Sequence, residues 1–270
     1  MIILLFIIGL LQAILLIAKI NSSLQFRKEV RQLFAQSKTL SNKTFSNTQL
    51  AGLPEPLQRY FRHVLRNGQA YISHVRLTHD GQFKPGLEKK WTNITGEQYF
   101  TTVTPGFIWK GTTALFTARD MYIGDKGRLV VWIASLFKVA DGQGKNYDEG
   151  ELQRWLAESV WFPTNLLPSE RIVWEPIDSN AAKMIFTTGT VTIFFTVTIN
   201  ALGEITQMET LRYMDNDKKQ TWLCSMSDYK ERNGIIIPFH CEATWRLERG
   251  DYPYAKFDVK TIEYDHPKMF

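Results

Sequence analysis

Cysteine is almost absent from this 270-residue chain, with only Cys224 and Cys241 present. That excludes a disulfide-rich scaffold and a cysteine-built zinc ribbon. Histidine is sparse too: the five, at 63, 74, 79, 240 and 266, form no HExxH pair and no Cys/His cluster, so no metal is expected. GxSxG and GxGxxG are both lacking, which removes a nucleophile elbow and a dinucleotide fingerprint. The run Gly142-Gln143-Gly144-Lys145-Asn146 has a phosphate-loop flavour, but the earlier glycine and the following Ser or Thr are missing. Charge of one sign is scarce as well. The net +5 is spread among interleaved acids and bases, a pattern that does not call for nucleic acid. The sequence therefore yields no catalytic residue, no cofactor and no metal site.

What it does hold is apolar and aromatic mass. A content of 44% hydrophobic and 13% aromatic residues is enough to bury one large β domain or two small ones. The first eighteen residues, MIILLFIIGLLQAILLIA, carry no charge before Lys19. At a rise of about 1.5 Å per residue they reach roughly 27 Å, close to bilayer hydrocarbon thickness. Ala18-Lys19-Ile20 is a poor cleavage context and no basic stretch precedes the run, so residues 1–20 read as an uncleaved, single-pass anchor in the bilayer. Lys19, Arg27, Lys28 and Arg31 follow it. They favour a cytoplasmic flank, yet long domains translocate regardless of charge, and the side of the domain stays undecided.

Residues 21–49 read as an amphipathic neck and linker, and 50–270 as the folded domain. Leu57, Tyr60, Phe61, Val64 and Leu65 share one helical face after Pro54 and Pro56, predicting a short helix closed by Asn67-Gly68. From Tyr71 the period falls to two. Strands are predicted at 71–80, 87–93, 97–103, 107–111, 113–123 and 128–139, then a helix over 148–160. A second set follows at 171–176, 182–188, 190–199, 205–214, 219–229, 235–248 and 254–265. The fold class expected is mainly β (α+β): one large curved antiparallel sheet, a half-barrel or barrel, with a few helices and a preceding transmembrane helix.

Asn233-Gly234 predicts a hairpin turn. With that turn, Trp222, Cys224 and Met226 share a face with Phe239, Cys241, Ala243 and Trp245, while His240, Glu242, Thr244 and Arg246 take the other. The two cysteines then lie opposite or diagonal, either as reduced core residues or as a cross-strand disulfide. Aromatics beyond ordinary packing needs suggest a cavity for an apolar ligand. Trp222, Met226, Phe239, Ala243 and Trp245 are its candidate wall.

Leu53-Pro-Glu-Pro-Leu-Gln-Arg-Tyr-Phe61, Gly150-Glu-Leu-Gln-Arg-Trp-Leu-Ala157, Trp161-Phe-Pro-Thr-Asn-Leu-Leu-Pro168, Gly234-Ile-Ile-Ile-Pro238, Glu242-Ala-Thr-Trp245 and Gly250-Asp-Tyr-Pro-Tyr254 together resemble a largely bacterial family, domain of unknown function 6544. That resemblance implies no activity. The strand order is also similar to that of lipoprotein-carrier half-barrels, which implies, by fold analogy alone, a sheet able to hold acyl chains. Three readings follow. The first is a membrane-anchored binding module for a lipid or other apolar ligand. The second is an enzyme acting on a membrane-associated substrate, with His240 and Glu242 at the rim. The third is a scaffold for a protein partner.

Overall fold

The structure, a computed structural model, describes residues 2–37, 40–86, 88–214 and 218–270. Lys38 and Thr39 of the expected linker, and Leu87 at the start of an expected strand, lie outside the described residues. A 35-residue helix α1 (Ile2–Gln36) precedes a short α2 (Glu55–Val64). Six strands form the first meander: β1 (His74–Phe83), β2 (Thr92–Thr101), β3 (Gly106–Thr112), β4 (Phe116–Ile123), β5 (Lys126–Ile133) and β6 (Phe137–Gln143). Helix α3 (Lys145–Ala157) and two 3-10 turns, Glu158–Trp161 and Pro163–Leu166, then cross the sheet. The second meander comprises β7 (Ile172–Pro176), β8 (Ala181–Thr188), β9 (Val191–Ile199), β10 (Ile205–Tyr213), β11 (Lys219–Arg232), β12 (Ile235–Leu247) and β13 (Gly250–Tyr264).

All thirteen strands join one curved antiparallel sheet in the order β6-β5-β4-β3-β2-β1-β13-β12-β11-β10-β9-β8-β7. The sheet is open rather than a closed barrel, and the first and last strands of the fold meet at its centre. Local chemistry sets the turns. Gly124-Asp125 and Asn233-Gly234 take positive φ at both positions, the geometry that matches strand twist in a tight hairpin. Alternation does the rest: Ile193, Phe195, Val197 and Ile199 of β9 are buried while Thr192, Phe194 and Thr196 are exposed.

The main core lies on the concave face, where α2, α3 and the 3-10 turns pack. Helix α2 closes one end, since Arg59 donates to the carbonyls of Asn200 (3.1 Å) and Ser179 (3.2 Å) in turns at that end. The opposite end carries the β1–β2, β3–β4, β5–β6 and β12–β13 turns. We call it the open end.

Helix α1 is the one helix among the described residues that is long and apolar enough to cross a membrane, judged by length and composition. Its C-terminal half docks on the convex face: Phe26, Val30, Leu33 and Phe34 pack with Tyr99, Ile108 and Met121. Arg119 is buried at this seam, bonded to Glu29 at 2.7 Å and to the Ser22 hydroxyl at 3.0 Å, with its guanidinium 4.4 Å from the Trp132 ring centre. A guanidinium buried this deeply needs a charged acceptor. Glu29→Gln keeps an acceptor but removes the charge, and should lower stability by about 1 kcal/mol, the gap between charge-assisted and neutral hydrogen bonds. Urea unfolding of the two proteins measures it.

Candidate functional site

Between the concave face and α3 lies a cavity of about 450 Å³. Its lining runs from Trp161, Met226 and Cys241 at mid-sheet out to Phe83, Phe116 and Met214 near the open end. The wall is mostly apolar and aromatic. Trp222 and Trp245 are fixed by Tyr254, whose hydroxyl accepts from Trp222 Nε1 at 2.9 Å and whose ring stacks on Trp245 at 6.0 Å.

One side of this wall is ionic. Helix α3 is buried almost all round from Gly150 to Ala157. Leu152, Trp155 and Leu156 join the core, whereas Glu151, Arg154 and, one turn on, Glu158 line the cavity. Arg154 bonds Asp120 of β4 and donates through Nε to Glu158 at 2.9 Å. Gln98 of β2 donates to the other oxygen of Glu158 at 2.6 Å. Arg212 of β10 bonds the Gly150 carbonyl at 3.1 Å and Glu151 at 3.5 Å, and covers the Trp222 ring at 4.6 Å. Three carboxyl groups thus face two guanidinium groups. Among the described residues Glu151 Oε2, Asp120 Oδ1 and Arg154 Nη2 have no hydrogen-bond partner, which leaves two carboxyl oxygens and one guanidinium nitrogen with hydrogen-bonding capacity at the cavity.

Burial, reinforced by the nearby Asp120 charge, raises the Glu151 carboxyl from the ordinary value near 4.5 to about 8, against the pull of Arg212 and Arg154. Glu151 is only 4% exposed. The shift favours the protonated acid at neutral pH, which lessens the excess of carboxylates over guanidinium groups in the cluster. A group with a raised folded pKa binds more protons folded than unfolded, so this contribution to stability is full below about 4.5 and is lost as pH rises toward about 8. Glu151→Gln should flatten the fall in urea midpoint across that window. Parallel pH profiles of variant and parent would contradict the assignment.

Of the residues singled out from sequence, Trp222, Met226, Ala243 and Trp245 line the cavity. Phe239 does not: its ring lies under Lys230 and Arg232, at 5.3 and 5.5 Å. Opposite it, Asp228 has left-handed backbone (φ 57°), which breaks the regular alternation of β11. Cys224 pairs with Ala243 and Cys241 with Met226, so the cysteines are diagonal neighbours, and both thiols are free. Diagonal positions stand about 7–8 Å apart, beyond the usual disulfide span. His240 and Glu242 alternate with Cys241 and Ala243 along β12, and Glu242 also borders the cavity. His240 bonds Asp258 (2.7 Å) and Glu242 (3.0 Å), and Lys256 bonds Glu242 (2.9 Å), a network across the outer surface of two strands. The ionic cluster was missed from sequence. Its one linear trace is Glu151, Arg154 and Glu158 at i, i+3 and i+7.

The family described as Family of unknown function (DUF6544) matches residues 43–257. No curated protein matches the chain significantly. Among solved structures, a LolA superfamily protein from Nitrosomonas europaea is similar at a TM-score of 0.42 and 9% identity, covering 77% of this chain and 91% of that one. A putative outer membrane lipoprotein-sorting protein domain from Vibrio parahaemolyticus is similar at 0.39 and 9% identity, covering 72% of this chain and 86% of that one.

Proposed function

We propose that this chain, which belongs to the DUF6544 family, is a membrane-tethered binding module that holds an amphiphile inside its curved sheet. The observation that carries the reading is the union of an apolar cavity of about 450 Å³ with a buried ionic wall. The volume falls within the ~300–1,000 Å³ of small-molecule sites. Trp222, Trp245 and Met226 offer contact to the apolar part, and Arg154 and the Glu151 acid offer hydrogen bonds to the polar end. Residues 1–20 act as the tether, consistent with a helix whose apolar stretch has no buried residue. The lipoprotein-sorting description of a structural neighbour adds no weight at so low a similarity. Native mass spectrometry of the full chain, extracted gently from membranes, tests the reading. A bound mass of one amphiphile per chain is expected, and protein that is always empty would contradict it.

The enzyme reading keeps one specific support, a carboxylic acid at Glu151 beside Asp120, a type of pair found where protons are transferred. Steady release of product from a lipid ester by purified protein, lost in Glu151→Gln, would favour it over binding.

A further inference from the structure

Four features of the fold meet at the open end. The cavity lining reaches that end at Phe83, Pro85 and Phe116. Helix α1 climbs the convex face from there: Gln36 lies near Thr104 and Gly124 at the α2-closed end, and Ser22 bonds Arg119 in mid-strand. Its earlier residues therefore extend past the open end. The β5–β6 turn lies level with the apolar run of the helix, because Ile14, Ile17 and Ala18 share one shallow cleft with Trp132, Ser135 and Leu136. Around that turn large apolar side chains face outward: Leu115 is 77% exposed and Phe137 66%, with Ile133 and Val139 also exposed. The β1–β2 turn, beyond the β3–β4 turn that carries Leu115, adds Lys84, Lys89, Lys90 and Trp91 against the single acid Glu88, with Lys84 over the Trp91 ring at 4.7 Å.

We infer that the open end of the sheet rests on the bilayer, with Leu115, Ile133 and Phe137 inserted at its surface, so that the cavity mouth opens onto lipid and not onto bulk water. The inference rests on the reading of α1 as an anchor. With residues 2–18 across the hydrocarbon, Ile14 lies about 6 Å before the end of the apolar run. The turn beside it is thereby held about 6 Å inside the edge of the hydrocarbon, within the roughly 5–10 Å to which interfacial apolar groups sink into the headgroup and acyl-chain boundary. Lysine and tryptophan beside exposed aliphatic residues suit that layer: the charge meets lipid phosphate and the indole sits at the interface. The occupant of this apolar surface is thus a phospholipid bilayer, since the neighbouring helix already fixes where the bilayer must lie. Direct passage between membrane and cavity would spare the amphiphile a transit through water.

Depth-dependent quenching tests this on the full chain in vesicles of phosphatidylcholine and phosphatidylglycerol. Bimane is attached at Phe137→Cys, Leu115→Cys, Ile8→Cys and Ala201→Cys in turn, and the signal of the parent, whose own cysteines line the cavity, is subtracted. Lipids carrying a doxyl group near the head of the acyl chain are expected to quench the labels at 137 and 115 several-fold more than the label at 201, which is at the α2-closed end. Two independent rim positions keep the test decisive if one variant folds poorly. Quenching at 8 with none at 137 and 115 overturns the inference and leaves the anchor standing. No quenching at 8 by lipids carrying the doxyl group deep in the acyl chain removes the anchor and the inference together.

Discussion

Arg154→Ala is expected to lower unfolding stability by about 3–5 kcal/mol, the largest single-residue effect in this fold. The residue is 8% exposed and bonds two carboxylates from different elements, Asp120 on β4 and Glu158 after α3. It also lies over the rings of Trp109 (4.8 Å) and Phe107 (5.2 Å). Truncation leaves both acids buried without the cation that bonds them, with only Arg212 nearby, and opens space between α3 and the sheet. A buried charge without its partner is far more costly than a pair replaced as a whole. Combining Arg154→Met with Asp120→Asn and Glu158→Gln should therefore restore much of the loss. Urea unfolding measures both proteins. Single-variant stability within about 0.5 kcal/mol of the parent, the range of ordinary surface changes, would mean that the ionic wall does not form.

Ala243→Trp is expected to weaken binding of a fluorescent fatty-acid probe at least tenfold, about 1.4 kcal/mol, while the melting temperature stays close to the parent's. Ala243 lines the cavity on β12, opposite Cys224 on one side and Ala255 on the other. An indole placed there takes volume that is otherwise open to ligand. Were the interior close-packed, the same change would overpack it and cost about 1–3 kcal/mol of stability. The two outcomes separate cleanly: lost binding on a stable fold marks a cavity, and a destabilised protein marks a filled core.

Hairpins with a strong chemical signature were legible in the sequence. Asn233-Gly234 fixed the pairing of β11 with β12, and the threonine alternation of β9 fixed its buried face. Other boundaries were hidden by the same rules. The span 128–139 reads as one strand, yet Ala134 and Ser135 take φ of 51° and 59° and turn the chain. Ala134 carries no turn signal and Ser135 only a weak one, so the contact with α1 and the β5–β6 pairing reveal the bend. The converse occurs at Gly96. It looks like a break between two strands, but it lies inside β2 because the His79 ring packs against it, and a Cβ there would come within 1.8 Å of Nε2. His79 is in turn held by Trp109, whose Nε1 donates to it at 2.8 Å.

The candidate site was legible only in its apolar half. Trp222, Ala243 and Trp245 follow from one hairpin and one alternation. The ionic half draws Gln98, Asp120, Glu151, Arg154, Glu158 and Arg212 from five separate elements. No local period joins residues that distant. Helix α3 compounds the difficulty: Glu151, Arg154 and Glu158 form the polar side of an amphipathic helix, which ordinarily faces solvent. Here the sheet curls past that side and encloses it.

Photo-crosslinking tests the central claim, that an amphiphile sits inside the sheet, most directly. The full chain in bilayer nanodiscs is exposed to a fatty acid bearing a diazirine near its methyl end, irradiated, digested and sequenced by mass spectrometry. Labels are expected on concave residues of β11–β13, among them Trp222, Met226 and Phe257, and should disappear from these strands in Ala243→Trp. Labels confined to residues 2–20 and the turns of the open end, with none on those concave residues in the parent protein, would contradict it.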